Sequence, residues 1–416
     1  MIKFRKPLVT MLIVVIVALS GCGFVEDNSN IIQSPQSENE AHEQLKEVLN
    51  TLLSSDIEYV TPKNTQQKQS IYIDDIDQDS KKEAFVFYKE KEENRQVRLL
   101  VLQNDGQEWN KLSDEPTGYN TLEYFEVVDL DENGIKEVIV GVGFGQWDSN
   151  KQLYIYEWDN NDLSKTVDRN YRGIDIADYT EDNKVDIILL ESNEIKTAQL
   201  LNYEKGELVS MSTVELESSI LHENIVSGSL LDGKRALFID SGLGAHSMLT
   251  EIVAYNNGEL IKFGDMNDRF LLKAYPAYSK DINNDGVVEA VGLYIPKGWE
   301  EASFSEIPFI RVYASYSIDG KRQTVEERYV NGRKNFYITI PPTLYGSVTV
   351  EMIDDGVRLL SDTDKEVLFE VKWTDKESFD NSKIKLEETK DTIFYTDLKG
   401  NRNIHHGNFH LFEDDF

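Results

Sequence analysis

The stretch Asp129-Leu130-Asp131-Glu132-Asn133-Gly134-Ile135-Lys136-Glu137, running straight into Val138-Ile139-Val140-Gly141-Val142, sets the reading of the whole chain. Oxygen-bearing side chains stand at its first, third, fifth and ninth positions, the alternation with which a tight loop wraps one hard cation, calcium above all. An apolar, β-branched run of strand length follows at once. The pattern returns in Asp75-Ile-Asp77-Gln-Asp79-Ser-Lys81-Lys-Glu83, in Asp178-Tyr-Thr180-Glu-Asp182-Asn183-Lys184-Val-Asp186 and in Asp281-Ile-Asn283-Asn-Asp285-Gly286-Val287-Val-Glu289. The copies recur at multiples of about 50 residues, a period that belongs to a propeller or another repeat array.

One such copy would be a polar turn, because Asp, Asn and Gly gather wherever a chain reverses. Four in register, each with a carboxylate at position nine just inside an apolar strand, argue for metal. Carboxylates held about 3–5 Å apart repel one another, and a shared divalent ion removes that cost.

The first six positions also match an EF-hand, which closes with Glu at position twelve and lies between helices. Here position twelve is Val86, Val140, Leu189 or Gly292, and the flanks Ile71–Ile73, Phe125–Val128 and Val138–Val140 are strand-like. The EF-hand is excluded. A nine-residue loop between two apolar strands instead resembles the FG-GAP or VCBS-type repeat of integrin-like β-propellers, closely over residues 71–300 and loosely over 300–416. The resemblance implies that each loop holds calcium in the hairpin between two strands of a blade, through side chains at positions one, three, five and nine and the carbonyl at seven. Carried onto this chain, the ligands are Asp75, Asp77, Asp79 and Glu83 with Lys81; Asp129, Asp131, Asn133 and Glu137 with Ile135; Asp178, Thr180, Asp182 and Asp186 with Lys184; and Asp281, Asn283, Asp285 and Glu289 with Val287. Two to four ions are expected. Ser80 and Asn183 stand where Gly134 and Gly286 supply a permissive backbone, and Thr180 replaces a stronger ligand. The loops at 129 and 281 therefore rank first, that at 75 next and that at 178 last.

At the N-terminus, Lys3, Arg5 and Lys6 precede the apolar run Leu8–Leu19, too short for a membrane span and followed by small residues, so residues 1–21 read as a secretory signal. Leu19-Ser-Gly-Cys22 resembles the bacterial lipobox, which implies a diacylglycerol anchor on Cys22 and a place on the extracytoplasmic face of the cell membrane. Cys22 is the only cysteine, so no disulfide can form within the chain and stability rests on packing and bound ions. Removing the signal takes the formal charge from −32 to −35, a field that repels nucleic acid.

Residues 22–40 are polar and read as a flexible tether. Within residues 41–56, Leu45, Val48, Leu49, Leu52 and Leu53 recur at helical spacing among Glu and Lys, which predicts one amphipathic helix. From 57 to 416 the chain is predicted all-β, with runs such as Glu83–Tyr88, Val97–Gln103, Val138–Val142, Leu153–Trp158, Val185–Leu190, Ala236–Asp240, Ile252–Tyr255, Ala290–Ile295, Tyr337–Ile340 and Val367–Trp373 bounded by turn residues. Asp232-Gly233-Lys234 falls midway between the third and fourth acidic loops and reads as the same hairpin cut down to a tight turn. Past residue 300 the period weakens. Asn331-Gly332 and Asp362-Thr-Asp364-Lys-Glu366 mark two degenerate units, so residues 300–416 are either degenerate blades or an appended β-domain. Five repeats are clear, and dividing chain length by period suggests about seven blades.

If the acidic loops join two strands at one end of a blade, the next connection leaves at the other end. Those connections carry Phe144 and Trp147, His246, and Trp299 beside glycines, and by the propeller resemblance that face would bind a ligand. No Gly-x-Ser-x-Gly, His-Glu-x-x-His or P-loop occurs. The expectation is a lipid-anchored envelope protein whose calcium-stabilised β-propeller binds a protein or glycan. The alternatives are a secreted propeller enzyme cleaving glycans or esters, which abundant carboxylates would permit, and a structural subunit of an envelope complex.

Overall fold

Val138–Val142 lies inside the strand Glu137–Gly143, every residue of which is buried. A strand covered on both faces needs layers above and below it, and here those layers are other sheets. In the computed structural model the described residues are 39–63, 68–91, 95–145, 151–159, 162–192, 195–217, 221–244, 246–398 and 404–412. The signal segment, Cys22, most of the tether and Trp147 lie outside them. The ten apolar runs read from the sequence fall on strands, with disagreement only at end residues. Among the described residues no helix is long and apolar enough to cross a membrane.

Among the described residues six antiparallel sheets follow one another, spanning residues 57–116, 121–171, 173–215, 221–273, 290–340 with Phe409–Leu411, and 348–396. The second and third are plain four-stranded meanders. Six sheets thus stand where the repeat period suggested about seven blades. The difference lies in extra strands: Ile57–Tyr59 joins the first sheet, Leu272–Lys273 the fourth, Phe409–Leu411 the fifth and Ile384–Glu388 the sixth. These absorb chain length that a uniform period counts as another blade. The two degenerate units are also corrected. Asn331-Gly332 turns between the third and fourth main strands of the fifth sheet, and Asp362–Glu366 between the second and third of the sixth, so neither opens a new sheet.

Apolar clusters join successive sheets. Phe85, Phe87 and Val101 meet Phe125 and Val140 between the first and second. Ile139, Ile155 and Tyr171 meet Ile187 and Leu201 between the second and third. Ile188 and Leu200 meet Leu237 and Val253, and Phe238 and Ile252 meet Ala290 and Tyr316. The sixth sheet joins the fifth through Val350, Leu359 and Phe369 against Ile310, Tyr329 and Phe336. Ile310 and Tyr316 belong to one strand and lie six residues apart, so they share a face. The fourth and sixth sheets therefore cover the same face of the fifth, at its two ends, and a notch is left between them.

The row has two different ends. The helix Asn39–Leu52 covers the outer face of the first sheet, with Leu45 and Leu49 buried on Ala84, Val86, Tyr88, Leu100 and Leu102. It stops four residues short of the expected 56, where the Asp56 N–H bonds to the Ser54 hydroxyl at 3.3 Å and competes with another helical turn. The sixth sheet instead carries on its other face the ladder Glu351–Arg358–Glu370, in which the guanidinium donates to both carboxylates at 3.3 and 2.7 Å and Glu370 is buried. Among the described residues no apolar cluster joins the first sheet to the fifth or sixth.

The helix is a structural lid, so Leu49→Ala should destabilise the protein by about 2–4 kcal/mol through the cavity it leaves, whereas the same change at the exposed Leu52 should cost about 0.5 kcal/mol or less. Denaturant unfolding of the two variants measures both. Equal, small losses would mean that the helix does not close the first sheet.

Candidate metal centres and the opposite face

The four acidic loops are built alike. At position four (Gln78, Glu132, Glu181, Asn284) and position six (Ser80, Gly134, Asn183, Gly286) the backbone takes a positive φ between 59° and 89°. Gly does this freely, Asn tolerates it, and Ser80 is the least suited of the four at position six. Three ties hold the shape. The position-one carboxylate accepts the N–H of position six: Asp75 from Ser80 at 3.0 Å, Asp129 from Gly134 at 2.9 Å, Asp178 from Asn183 at 2.9 Å and Asp281 from Gly286 at 2.8 Å. The position-five side chain accepts the N–H of position seven in all four, at 2.7, 2.6, 2.9 and 2.8 Å. The position-nine carboxylate reaches back to the N–H of position two, Glu83 to Ile76, Glu137 to Leu130, Asp186 to Tyr179 and Glu289 to Ile282, at 3.1, 2.8, 2.9 and 3.1 Å.

Position nine is buried in every copy. Loss of hydration, as the leading cause, holds all four carboxyls above their usual range, Glu83 and Glu137 at about 7. In two loops the carboxylates converge. One oxygen each of Asp75, Asp77 and Glu83, and likewise of Asp129, Asp131 and Glu137, lie within 4.8 Å of one another. Oxygens on opposite sides of a calcium ion bound at 2.3–2.6 Å stand about 4.6–5.2 Å apart, so both clusters fit one such ion. Asp75 Oδ1 and Asp129 Oδ1 are moreover buried without a hydrogen-bond partner, as a group awaiting a cation would be.

The other two loops turn their donors and acceptors on themselves. The Thr180 hydroxyl donates to Asp186 at 3.1 Å. The Asn283 amide donates to Asp285 at 2.8 Å, while Asp281 Oδ1 takes the N–H groups of Asn283 and Asp285. Among the described residues, carboxylates thus converge in the loops at 129 and 75, and not in those at 281 and 178. The shortened hairpin reads as expected: Gly233 sits at φ 83° in a tight turn between the first two main strands of the fourth sheet.

The loops touch in a row. Gln78 donates to the Gly134 carbonyl at 2.7 Å, the Lys136 N–H to the Ile76 carbonyl at 2.8 Å, and Lys184 pairs with Glu132 at 2.6 Å. Lys234 pairs with Glu181, and Ser229 donates to the Gly286 carbonyl at 2.9 Å. Three supporting groups escaped sequence reading. The Trp158 indole donates to Asp77 at 2.9 Å from the second sheet, Gln103 donates to Glu83 at 3.2 Å, and Ser315 donates to Glu289 at 2.9 Å. They lie 20 to 81 residues from their partners, with nothing local to mark them.

At the other end of the sheets Phe144 is exposed beside Tyr119, and His246 is exposed and stacked on Tyr275. Tyr275 continues to Phe309 and on to Phe304, which is 62% exposed. Trp299 is half-buried, its indole donating to the Val350 carbonyl at 2.7 Å, and so ties the fifth sheet to the sixth. Tyr275, Phe304 and Phe309 were missed because they sit in long connections with no repeat to point at them.

No family model matches the chain, and no curated protein matches it. Among solved structures it is similar to a hypothetical selenium-binding protein from Sulfolobus tokodaii, at 10% identity and a TM-score of 0.30 over 48% of this chain. It is also similar to TolB from Acinetobacter baumannii, at 10% identity and a TM-score of 0.25 over 74% of this chain. The chain spans 56% and 63% of those two proteins. Likenesses so loose identify neither blade architecture nor activity.

The raised carboxyls of Glu83 and Glu137 carry a pH dependence of definite sign. With chelator present, the native state binds their protons near pH 7, whereas the unfolded chain does so only near pH 4.5. Their contribution to stability is thus full below about pH 4.5 and lost as pH rises through about 7. The metal-free protein should melt at a higher temperature at pH 5.5 than at pH 8, and Glu83→Gln with Glu137→Gln should flatten that difference. A difference that survives both substitutions would assign it to other groups.

Proposed function

We propose that this chain is a lipid-anchored protein of the extracytoplasmic membrane face, whose row of propeller-like sheets is pinned by calcium at one end and binds an envelope protein or glycan at the other. The observation that supports it best is the pair of convergent carboxylate triads, each with a buried and unpartnered Asp oxygen. Asp75, Asp77 and Glu83 would hold one ion, and Asp129, Asp131 and Glu137 a second, with Asp79 and Asn133 at position five as further donors. Bound there, calcium would supply the positive charge that the buried Glu83 and Glu137 lack and would stiffen the loop row. The resemblance to FG-GAP and VCBS-type repeats and the lipobox-like segment before Cys22 supply the rest of the reading.

The partner surface is assigned to the aromatic string His246, Tyr275, Phe309 and Phe304, together with Phe144, at the end away from the acidic loops. Exposed rings at the ends of rigid sheets can stack on sugar faces or anchor a protein at little entropic cost. Trp299 is left out of that surface, because its indole is already engaged between sheets.

Calcium should raise the melting midpoint of the native protein and chelator should lower it, since an ion that binds only the folded state adds RT ln(1 + [L]/Kd). Asp75→Ala and Asp129→Ala should each remove one ion in native mass spectrometry and shrink the calcium-induced shift, and Asp178→Ala should do so least. A midpoint indifferent to calcium ends the metal reading. Phe304→Ala should weaken capture of envelope components while leaving the calcium shift intact.

A further inference from the structure

A cavity of about 590 Å³ lies against the fifth sheet beside the Asp268–Phe270 connection of the fourth, lined in part by Asp268, Arg269, Phe270, Tyr294, Arg322 and Glu327. None of the acidic-loop residues borders it. Its acidic and basic side chains make no ion pair with one another among the described residues. On one side, the Arg322 guanidinium lies 3.8 Å over the Phe270 ring. Asp268 holds the lip carrying Arg269 and Phe270 by accepting the N–H groups of Phe270 and Leu271, both at 2.8 Å. Neither Arg269 nor Arg322 makes an ion pair among the described residues, in a protein with 75 acidic side chains against 43 basic ones.

On the other side is Glu327, only 5% exposed. Its Oε2 accepts the Gly346 N–H at 3.0 Å and the Tyr294 hydroxyl at 3.3 Å. Oε1 has no hydrogen-bond partner among the described residues, and no cation stands opposite the carboxyl. Burial, as the leading cause, holds it above the usual carboxylate range. Register puts these groups on one face: Arg322 pairs with Tyr316, Thr324 with Ala314 and Glu327 with Val312, and a bulge at Val325 keeps Thr324 and Glu327 on the same side. A carboxylate buried without a cation is costly alone. The two guanidiniums across the cavity are solvent-exposed and make no ion pair among the described residues, so both are open to a counter-charge. One ligand carrying both opposite charges satisfies both sides.

We propose that this cavity binds a small zwitterion, its ammonium on Glu327, its carboxylate on Arg322 and Arg269, and its carbon chain along Phe270 and Val312. The proposal is independent of the calcium reading, since it shares no residue with the loops. The test uses the full chain in mild detergent and the ω-amino acids from glycine to 6-aminohexanoic acid as probes, with pentanoate and pentylamine as single-charge controls. Binding is read by isothermal titration and saturation-transfer NMR. At least one amino acid should bind tenfold or more tighter than either control, because each charge-assisted contact is worth about that factor. Glu327→Gln should reduce its affinity to that of pentanoate, Arg322→Ala to that of pentylamine, and Arg269→Ala, a change at an exposed side chain, should weaken it without moving the melting midpoint. No binding at about 10 mM by any member, controls as tight as the amino acids, or affinity unchanged in folded Arg269→Ala and Glu327→Gln would overturn the proposal.

Discussion

Everything at the acidic end of this protein hangs on one contact, the buried carboxylate at position nine accepting the backbone N–H of position two. Glu83, Glu137, Asp186 and Glu289 sit at or beside strand starts, inside the packed body, and reach outward to the loop. Position two answers by burying its own side chain, most fully in Ile76, Leu130 and Tyr179. The loop is thereby tied to the core from both directions. That arrangement places a carboxylate where water cannot solvate it, and the one to three hydrogen bonds it accepts leave each carboxyl above its usual range. The remaining carboxylates of the loops at 75 and 129 add like charge beside it.

The same loops also hold the sheets in line. Each one leads into an inner or opening strand of its sheet, and neighbouring loops touch, so side chains such as Gln78 and Lys184 need only reach the adjacent loop. Exposed ion pairs of this sort contribute little singly. Their value here is positional, since they lie over apolar clusters that already join sheet to sheet. A row built in this way must still finish its end faces. The helix does so on the first sheet with leucines, and the sixth sheet carries a charged ladder there, half-exposed at Arg358 and buried at Glu370.

Binding potential collects where the regular stacking breaks. The fifth sheet receives the fourth and the sixth on one face, and the cavity beside the fourth carries charged side chains that make no ion pair with one another among the described residues. The exposed rings from His246 to Phe304 lie in the long connections of the fourth and fifth sheets. The more uniform second and third sheets offer no comparable concentration of features among their described residues.

By itself the sequence determined the all-β body, the single helix and the acidic hairpins, because each is written locally: alternation and β-branching make strands, leucines at helical spacing make the lid, and Asp-x-Asp-x-Asn-Gly can only be a tight turn. It could not reveal that Trp158 would touch Asp77 across 81 positions, or that Asn283 would turn its amide on Asp285 and so keep the loop at 281 from gathering its carboxylates. Nor could it count sheets, since Leu272–Lys273 and Phe409–Leu411 are strands only because a neighbouring edge offers them hydrogen bonds. Least legible was Glu327. One Glu among many, it becomes distinctive only when a strand bulge and two neighbouring sheets remove it from water and leave no cation opposite it, and burial of that kind is a property of packing that no local pattern encodes.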